Sequence, residues 1–97
     1  MRELEEIKRI LRAHKADLAE RFKVKSIGIF GSYVRGEQGE RSDLDVLVEF
    51  DEPIDLLEFC GLQIYLSELL GVEVDLVLKS GLKPRIGRRI LKEVTYL

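Results

Sequence analysis

Asp43 and Asp45 stand two residues apart in a stretch, residues 43–50, where Leu44, Val46, Val48 and Phe50 alternate with Asp43, Asp45, Leu47 and Glu49. Such alternation predicts a strand with one dry face, and side chains two apart on a strand leave by the same face with Cα atoms roughly 6.5–7 Å apart. Two carboxylates so placed can converge on a hard cation such as Mg²⁺, which takes oxygens from one or two protein carboxylates and from substrate phosphates. A second alternating stretch sets Val72, Val74, Leu76 and Leu78 against Glu73, Asp75, Val77 and Lys79, and so brings a third carboxylate. Because neighbouring strands lie about 4.8 Å apart, Asp75 can join Asp43 and Asp45 where the polar faces align. Taken alone, an Asp-x-Asp pair reads as a solvated strand face.

The pair does not stand alone. Val24, Ile27, Ile29 and Phe30, of β-branched and aromatic types, form a predicted strand that runs into Gly31-Ser32. Glycine permits close backbone approach, and a helix N-terminus offers free N–H groups to phosphate oxygens. By itself the dipeptide reads equally well as a turn with an N-cap serine. Arg35, one turn into the short helix expected there, adds positive charge for phosphate or, equally, pairs with Glu37 or an aspartate.

The remaining elements must hold these residues together. Leu4, Ile7, Leu11, Leu18 and Phe22 recur at helical spacing through charged residues and predict an amphipathic helix over residues 2–22. Gly36 and Gly39 bracket a polar loop. Pro53 is expected to open a helix in which Leu56, Leu57, Phe59, Leu62, Ile64, Leu66, Leu69 and Leu70 cover more than one stripe before Gly71. One small sheet covers one side of such a helix, so something else is expected on the other. Pro84 starts a final helix with Ile86, Ile90, Leu91 and Val94 as its apolar stripe. The predicted order is helix, strand, short helix, strand, helix, strand, helix. It implies an α+β fold, an α/β sandwich with a small mixed sheet of three or slightly more strands flanked by helices.

The chain has 97 residues, enough for one domain over 1–97 and one core, so a lid or second lobe is expected from a partner. A net charge of −2, from 18 acidic and 16 basic residues, offers no overall pull toward nucleic acid or an anionic membrane. Lys79, Lys83, Arg85, Arg88, Arg89 and Lys92 gather after the third strand, where a solvated helix face is the default reading over a triphosphate, RNA or acidic-partner contact. Cys60, in apolar helical surroundings, is expected to be a buried small hydrophobe, and a lone cysteine suits a reducing cytoplasm. No apolar run is long enough to cross a bilayer, and the charged start lacks a signal-peptide core. His14 has no companion histidine or cysteine for a transition metal and reads as structural, while Tyr33, Tyr65 and Tyr96 are expected to pack rather than stack on a base.

Gly31-Ser32, ten residues, then Asp43-Leu44-Asp45 match the G-S-x10-D-x-D signature of the nucleotidyltransferase superfamily related to DNA polymerase beta. Four fixed residues at ordinary usage would match by chance on the order of once in a thousand chains this long. More closely, Gly31-Ser32-Tyr33-Val34-Arg35-Gly36-Glu37, Ser42-Asp43-Leu44-Asp45-Val46-Leu47-Val48 and Leu70-Gly71-Val72-Glu73-Val74-Asp75-Leu76-Val77 resemble the minimal nucleotidyltransferases (MNT proteins) of bacteria and archaea. Arg89-Ile90-Leu91-Lys92-Glu93-Val94-Thr95-Tyr96-Leu97 is similar to that family's closing helix.

The resemblance implies a palm-like fold and a metal-dependent transfer. In it Asp43 and Asp45 bind two Mg²⁺ ions, Asp75 completes one metal site and helps deprotonate an acceptor hydroxyl, and Gly31 and Ser32 hold the β- and γ-phosphates. It further implies an antitoxin of a type VII toxin–antitoxin pair that moves AMP from ATP to a tyrosine of a helical HEPN-domain ribonuclease. Two other functions remain open: a small-molecule, antibiotic-type nucleotidyltransferase subunit, and an antitoxin that acts by binding alone.

Overall fold

The computed structural model describes residues 3–39 and 42–97, so the predicted helix start at residue 2 and the loop positions 40–41 lie outside the described residues. The first helical stretch is two helices, α1 (Leu4–Ala13) and α2 (Lys15–Phe22), not one. At His14 the backbone leaves helical geometry (φ −103°, ψ 5°), its N–H is shared between the Ile10 and Leu11 carbonyls, and its Nδ1 donates to the Ile10 carbonyl at 2.9 Å. That side-chain bond competes with the helical ladder and lets the two helices turn separately, so that Ile7, Leu11 and Leu18 are all fully buried. Lys23, in the left-handed region (φ 61°), turns the chain from α2 into β1 (Val24–Phe30) and pairs with Glu52 at 2.6 Å.

After β1 come α3 (Ser32–Arg35), β2 (Leu44–Phe50), α4 (Leu56–Leu70), β3 (Val74–Leu78), a 3₁₀ turn (Lys79–Gly81), α5 (Pro84–Glu93) and β4 (Thr95–Tyr96). The sheet runs β3-β2-β1-β4, with β2 parallel to β3 and antiparallel to β1, so it is mixed as expected and one strand larger than the minimum. The α4 crossover makes the β2 and β3 pairing parallel, which two strands joined by a tight turn cannot be. Ile27 and Ile29 of β1, Leu44, Val46 and Val48 of β2, and Val74 and Leu76 of β3 meet the α1, α2 and α4 side chains in one core.

α4 begins at Leu56 rather than at Pro53, because Asp55 caps it by accepting the Glu58 N–H at 2.8 Å. Leu62, Leu66 and Leu70 face the core, whereas Leu56, Leu57 and Ile64 are 76%, 83% and 60% exposed. Cys60, four residues from Leu56 and from Ile64, shares that outer stripe and is exposed, which corrects the expectation of a buried thiol.

α5 also departs from expectation. It ends at Glu93, and Thr95 and Tyr96 return as a fourth strand against Ile29 and Gly28 of β1. The missing side chain at Gly28 admits this return, since a Cβ there would stand 2.6 Å from Val94 Cγ2. Gly87 is the buried face of α5, so Ile90 and Val94 are half-buried while Ile86 and Leu91, placed on the apolar stripe by spacing, are exposed.

Candidate functional site

Asp45 faces Phe30 of β1 on one side and Asp75 of β3 on the other, as the Cα partner of each. The parallel register therefore brings the Asp75 carboxylate to the same sheet face, one strand spacing away. Asp43 immediately precedes β2 and is exposed, as is Asp75, while Asp45 is half-buried. Burial, then the charges of Asp75, Asp43 and Glu93, push the Asp45 carboxyl up to about 6 against the opposing pull of Arg35. Like charges crowded at a partly dry position disfavour ionisation in this way.

Gly31 takes the turn out of β1 at φ 82°, and its Cα faces the Asp45 carboxylate so closely that a Cβ would lie 2.0 Å from Oδ2. Its carbonyl accepts the Val34 and Arg35 N–H groups at 3.1 and 3.2 Å and so starts α3, whose N-terminus has no side-chain cap. Tyr33, 2% exposed, roots α3 in the core, and burial and then the Asp43 charge raise its hydroxyl pKa. Tyr65 packs on Phe22 and donates to Asp17 at 3.1 Å, and Tyr96 lies under the Lys79 ammonium at 5.3 Å, so neither borders the carboxylates.

Arg35 is held in ion pairs in this structure. Its Nε donates to Glu37 at 3.0 Å and its Nη1 to Glu93 at 2.5 Å. Glu93 also accepts the Gly31 N–H at 2.9 Å. Burial tends to raise the Glu93 carboxyl, but the Gly31 N–H and the Arg35 and Arg89 cations together hold it below the ordinary range. Nothing in the sequence flagged Glu93, because it lies 62 residues from Gly31 and only the return of α5 onto the sheet joins them.

The basic cluster divides. Lys79 pairs with Glu49 at 3.8 Å, four residues along β2 from Asp45, or about 13 Å away. Lys83, Arg85, Arg88, Arg89 and Lys92 line an open groove on the outside of α5.

Residues 11–97 match the family described as the nucleotidyltransferase domain. The protein adenylyltransferase MntA of Thermococcus cleftensis is 57% identical over 94 residues, covering 97% of this chain and 95% of that protein. The chain belongs to the minimal nucleotidyltransferase family. Among solved structures, one described as a minimal nucleotidyltransferase superposes on this member with a TM-score of 0.84 at 40% identity, covering 99% of this chain and 97% of that one. A crystal structure of a toxin–antitoxin with AMP-PNP superposes with a TM-score of 0.70 at 25% identity, covering 95% and 69%. This minimal nucleotidyltransferase is thus an enzyme of the nucleotide-transferring class on the fold expected of it.

Its carboxylates suit a divalent cation chemically. They are hard oxygen donors, and a cation between them would relieve the repulsion that, after burial, lifts Asp45. Among the described residues, however, no three His, Cys, Asp or Glu side chains stand close enough together to hold an ion. Among the described residues, no helix is long and apolar enough to cross a membrane.

Proposed function

We propose that this chain, acting as one nucleotidyltransferase domain, is a protein adenylyltransferase and antitoxin that moves AMP from ATP to a tyrosine hydroxyl of a HEPN-domain toxin. The observation that carries the reading is Asp45, paired in register with Asp75, set directly against the Gly31 turn. It juxtaposes paired carboxylates with the start of a short uncapped helix, an arrangement that suits metal-assisted transfer of a phosphorus group. The T. cleftensis relative, named as a protein adenylyltransferase, and the toxin–antitoxin neighbour holding AMP-PNP support the substrate and the partner.

Asp43, Asp45 and Asp75 would hold Mg²⁺, two ions in the family's manner, which supplies charge neutralisation at the α-phosphate and the leaving pyrophosphate. Gly31 and Ser32 orient the β- and γ-phosphates at the turn, and Arg35 supports them from the next turn of helix. Asp75, exposed on the same face, would take the proton of an acceptor hydroxyl. The acceptor oxygen bonds to the α-phosphorus, the bond to the bridging oxygen breaks, and pyrophosphate departs. Leu56, Leu57, Cys60 and Ile64 offer the partner an apolar stripe on α4, away from the chain's own core.

Incubation of the chain with a cognate HEPN-domain protein, Mg²⁺ and ATP labelled in its α-phosphate should add AMP to a tyrosine of that protein, read by mass spectrometry. Asp45→Asn should abolish the addition. Label on a small molecule but not on protein would replace this reading with an antibiotic-type transferase. Protection of cells by Asp43→Asn/Asp45→Asn would replace it with neutralisation by contact alone.

A further inference from the structure

Glu93 ends α5, yet its carboxylate bonds to the turn after β1, 62 residues earlier in the sequence. Oε2 accepts the Gly31 N–H at 2.9 Å, and Oε1 accepts from Arg35 Nη1 at 2.5 Å. The Glu93 side chain is 22% exposed against 48% for Arg35, so the carboxylate is the more enclosed partner. Gly31 is therefore held on two sides, with Glu93 on its N–H and the Asp45 carboxylate against its Cα.

The same turn has no internal brace of this kind. No side chain of α3 caps the helix, and Gly31 sits at a φ that costs a glycine little and so restrains it little. The restraint comes from α5, which is anchored in turn by β4 pairing with Gly28 and Ile29 on the strand leading to Gly31. A closed circuit results, from β1 through the turn to Glu93 and back through β4 to β1. Charge-assisted bonds to a backbone N–H and a guanidinium, both on an enclosed carboxylate, are stronger and more directional than neutral ones.

We propose that Glu93 is a positioning residue for the transfer, fixing the Gly31-Ser32 turn and the Arg35 guanidinium over Asp45 so that the triphosphate is received in reactive register. This rests on the adenylyltransferase reading above. Glu93 acts through Gly31 and Arg35 and need not touch the nucleotide. A rival role follows from the same bonds: the carboxylate could occupy the place of a phosphate, in which case its removal would tighten nucleotide binding.

The two roles predict opposite signs. Mg-ATP affinity would be measured by titration calorimetry for the intact chain, Asp45→Asn, Glu93→Ala and Glu93→Gln, with the Gly31 amide resonance followed in the nucleotide-free proteins. Positioning predicts a shifted Gly31 resonance and about tenfold weaker Mg-ATP binding in Glu93→Ala, the loss expected for a charge-assisted hydrogen bond. Glu93→Gln should fall between, because its carbonyl can still accept the Gly31 N–H while its amide gives Arg35 nothing. Unchanged or tighter binding in Glu93→Ala, with the intact chain binding normally, overturns the positioning role and leaves the adenylyltransferase reading standing. An intact chain that does not bind Mg-ATP overturns both. Should Glu93→Ala fail to fold, the near-isosteric Glu93→Gln decides the matter, and binding unchanged or tighter than in the intact chain overturns the proposal.

Discussion

Gly31 and Asp45 are fitted to each other: the glycine's Cα lies against the aspartate so closely that a Cβ at position 31 would stand 2.0 Å from Oδ2 and 2.9 Å from Cγ. The turn that follows β1 and the central carboxylate of β2 therefore cannot be adjusted independently.

Gly31→Ala should disturb both. The added methyl must displace the Asp45 carboxylate, and alanine at φ 82° is strained on its own account, together a loss of about 1–3 kcal/mol. Chemical denaturation should register that loss. Nucleotidyl transfer should fall further than stability does, since a small misplacement at a reacting centre can lower the rate about a hundredfold.

Burial and the neighbouring carboxylates at Asp45 predict a pH dependence of definite sign. Its carboxyl is raised to about 6 in the folded chain from an ordinary value of 3.8, so the folded state binds the proton more tightly than the unfolded one. The stabilisation is complete below pH 3.8 and is lost as pH rises through about 6. Without divalent cations, Asp45→Asn should therefore melt higher than the intact chain at pH 8, with the difference shrinking below pH 6. Much of Asp45 reaches solvent, so screening reduces the effect to roughly 1 kcal/mol, or about 4–8 °C in a domain of this size. Thermal melts with a chelator present, taken across pH 4–8, check it; an Asn variant that melts lower at pH 8 refutes it.

Divalent cations should reverse that penalty. Binding needs Asp45 ionised, so Mg²⁺ should raise the melting temperature at pH 8 and do so progressively less as pH falls below about 6. A stabilisation by Mg²⁺ that does not vary with pH would separate the ion from Asp45.

The two faces of α4 should respond differently to substitution. Leu66→Ala empties a fully buried position and should cost about 2–5 kcal/mol of stability. Leu57→Asp, at a position 83% exposed, should leave stability within about 0.5 kcal/mol while weakening association with the partner, measured by calorimetry, at least about tenfold.

Cys60 supplies a probe of the same face. Being exposed, it should react with a thiol reagent in the native chain as readily as in the unfolded one, and the partner should protect it. Full reactivity in the complex would move the partner's footprint off the middle of α4.

The sequence by itself determined which residues are candidates for the chemistry and which stretches carry them. Alternation on two strands puts Asp43, Asp45 and Asp75 on polar faces, and a ten-residue spacing after Gly31-Ser32 carries the family resemblance, because period-2 patterns and turn glycines are local signals. It also made α4 apolar on more than one side, though only packing decided that Leu62, Leu66 and Leu70 face inward and that Cys60 is left outside. The tertiary structure alone decided the rest. The break at His14 depends on a side-chain bond to its own helix, the start of α4 on the Asp55 cap, and β4 on a two-residue pairing with an edge that spacing does not reveal. The pairing of Asp45 with Asp75 and the reach of Glu93 to Gly31 are contacts between distant parts of the chain. Such contacts follow from how helices and strands pack and carry no local pattern, which is why the carboxylates were legible in the sequence and the glutamate bonded to the Gly31 turn was not.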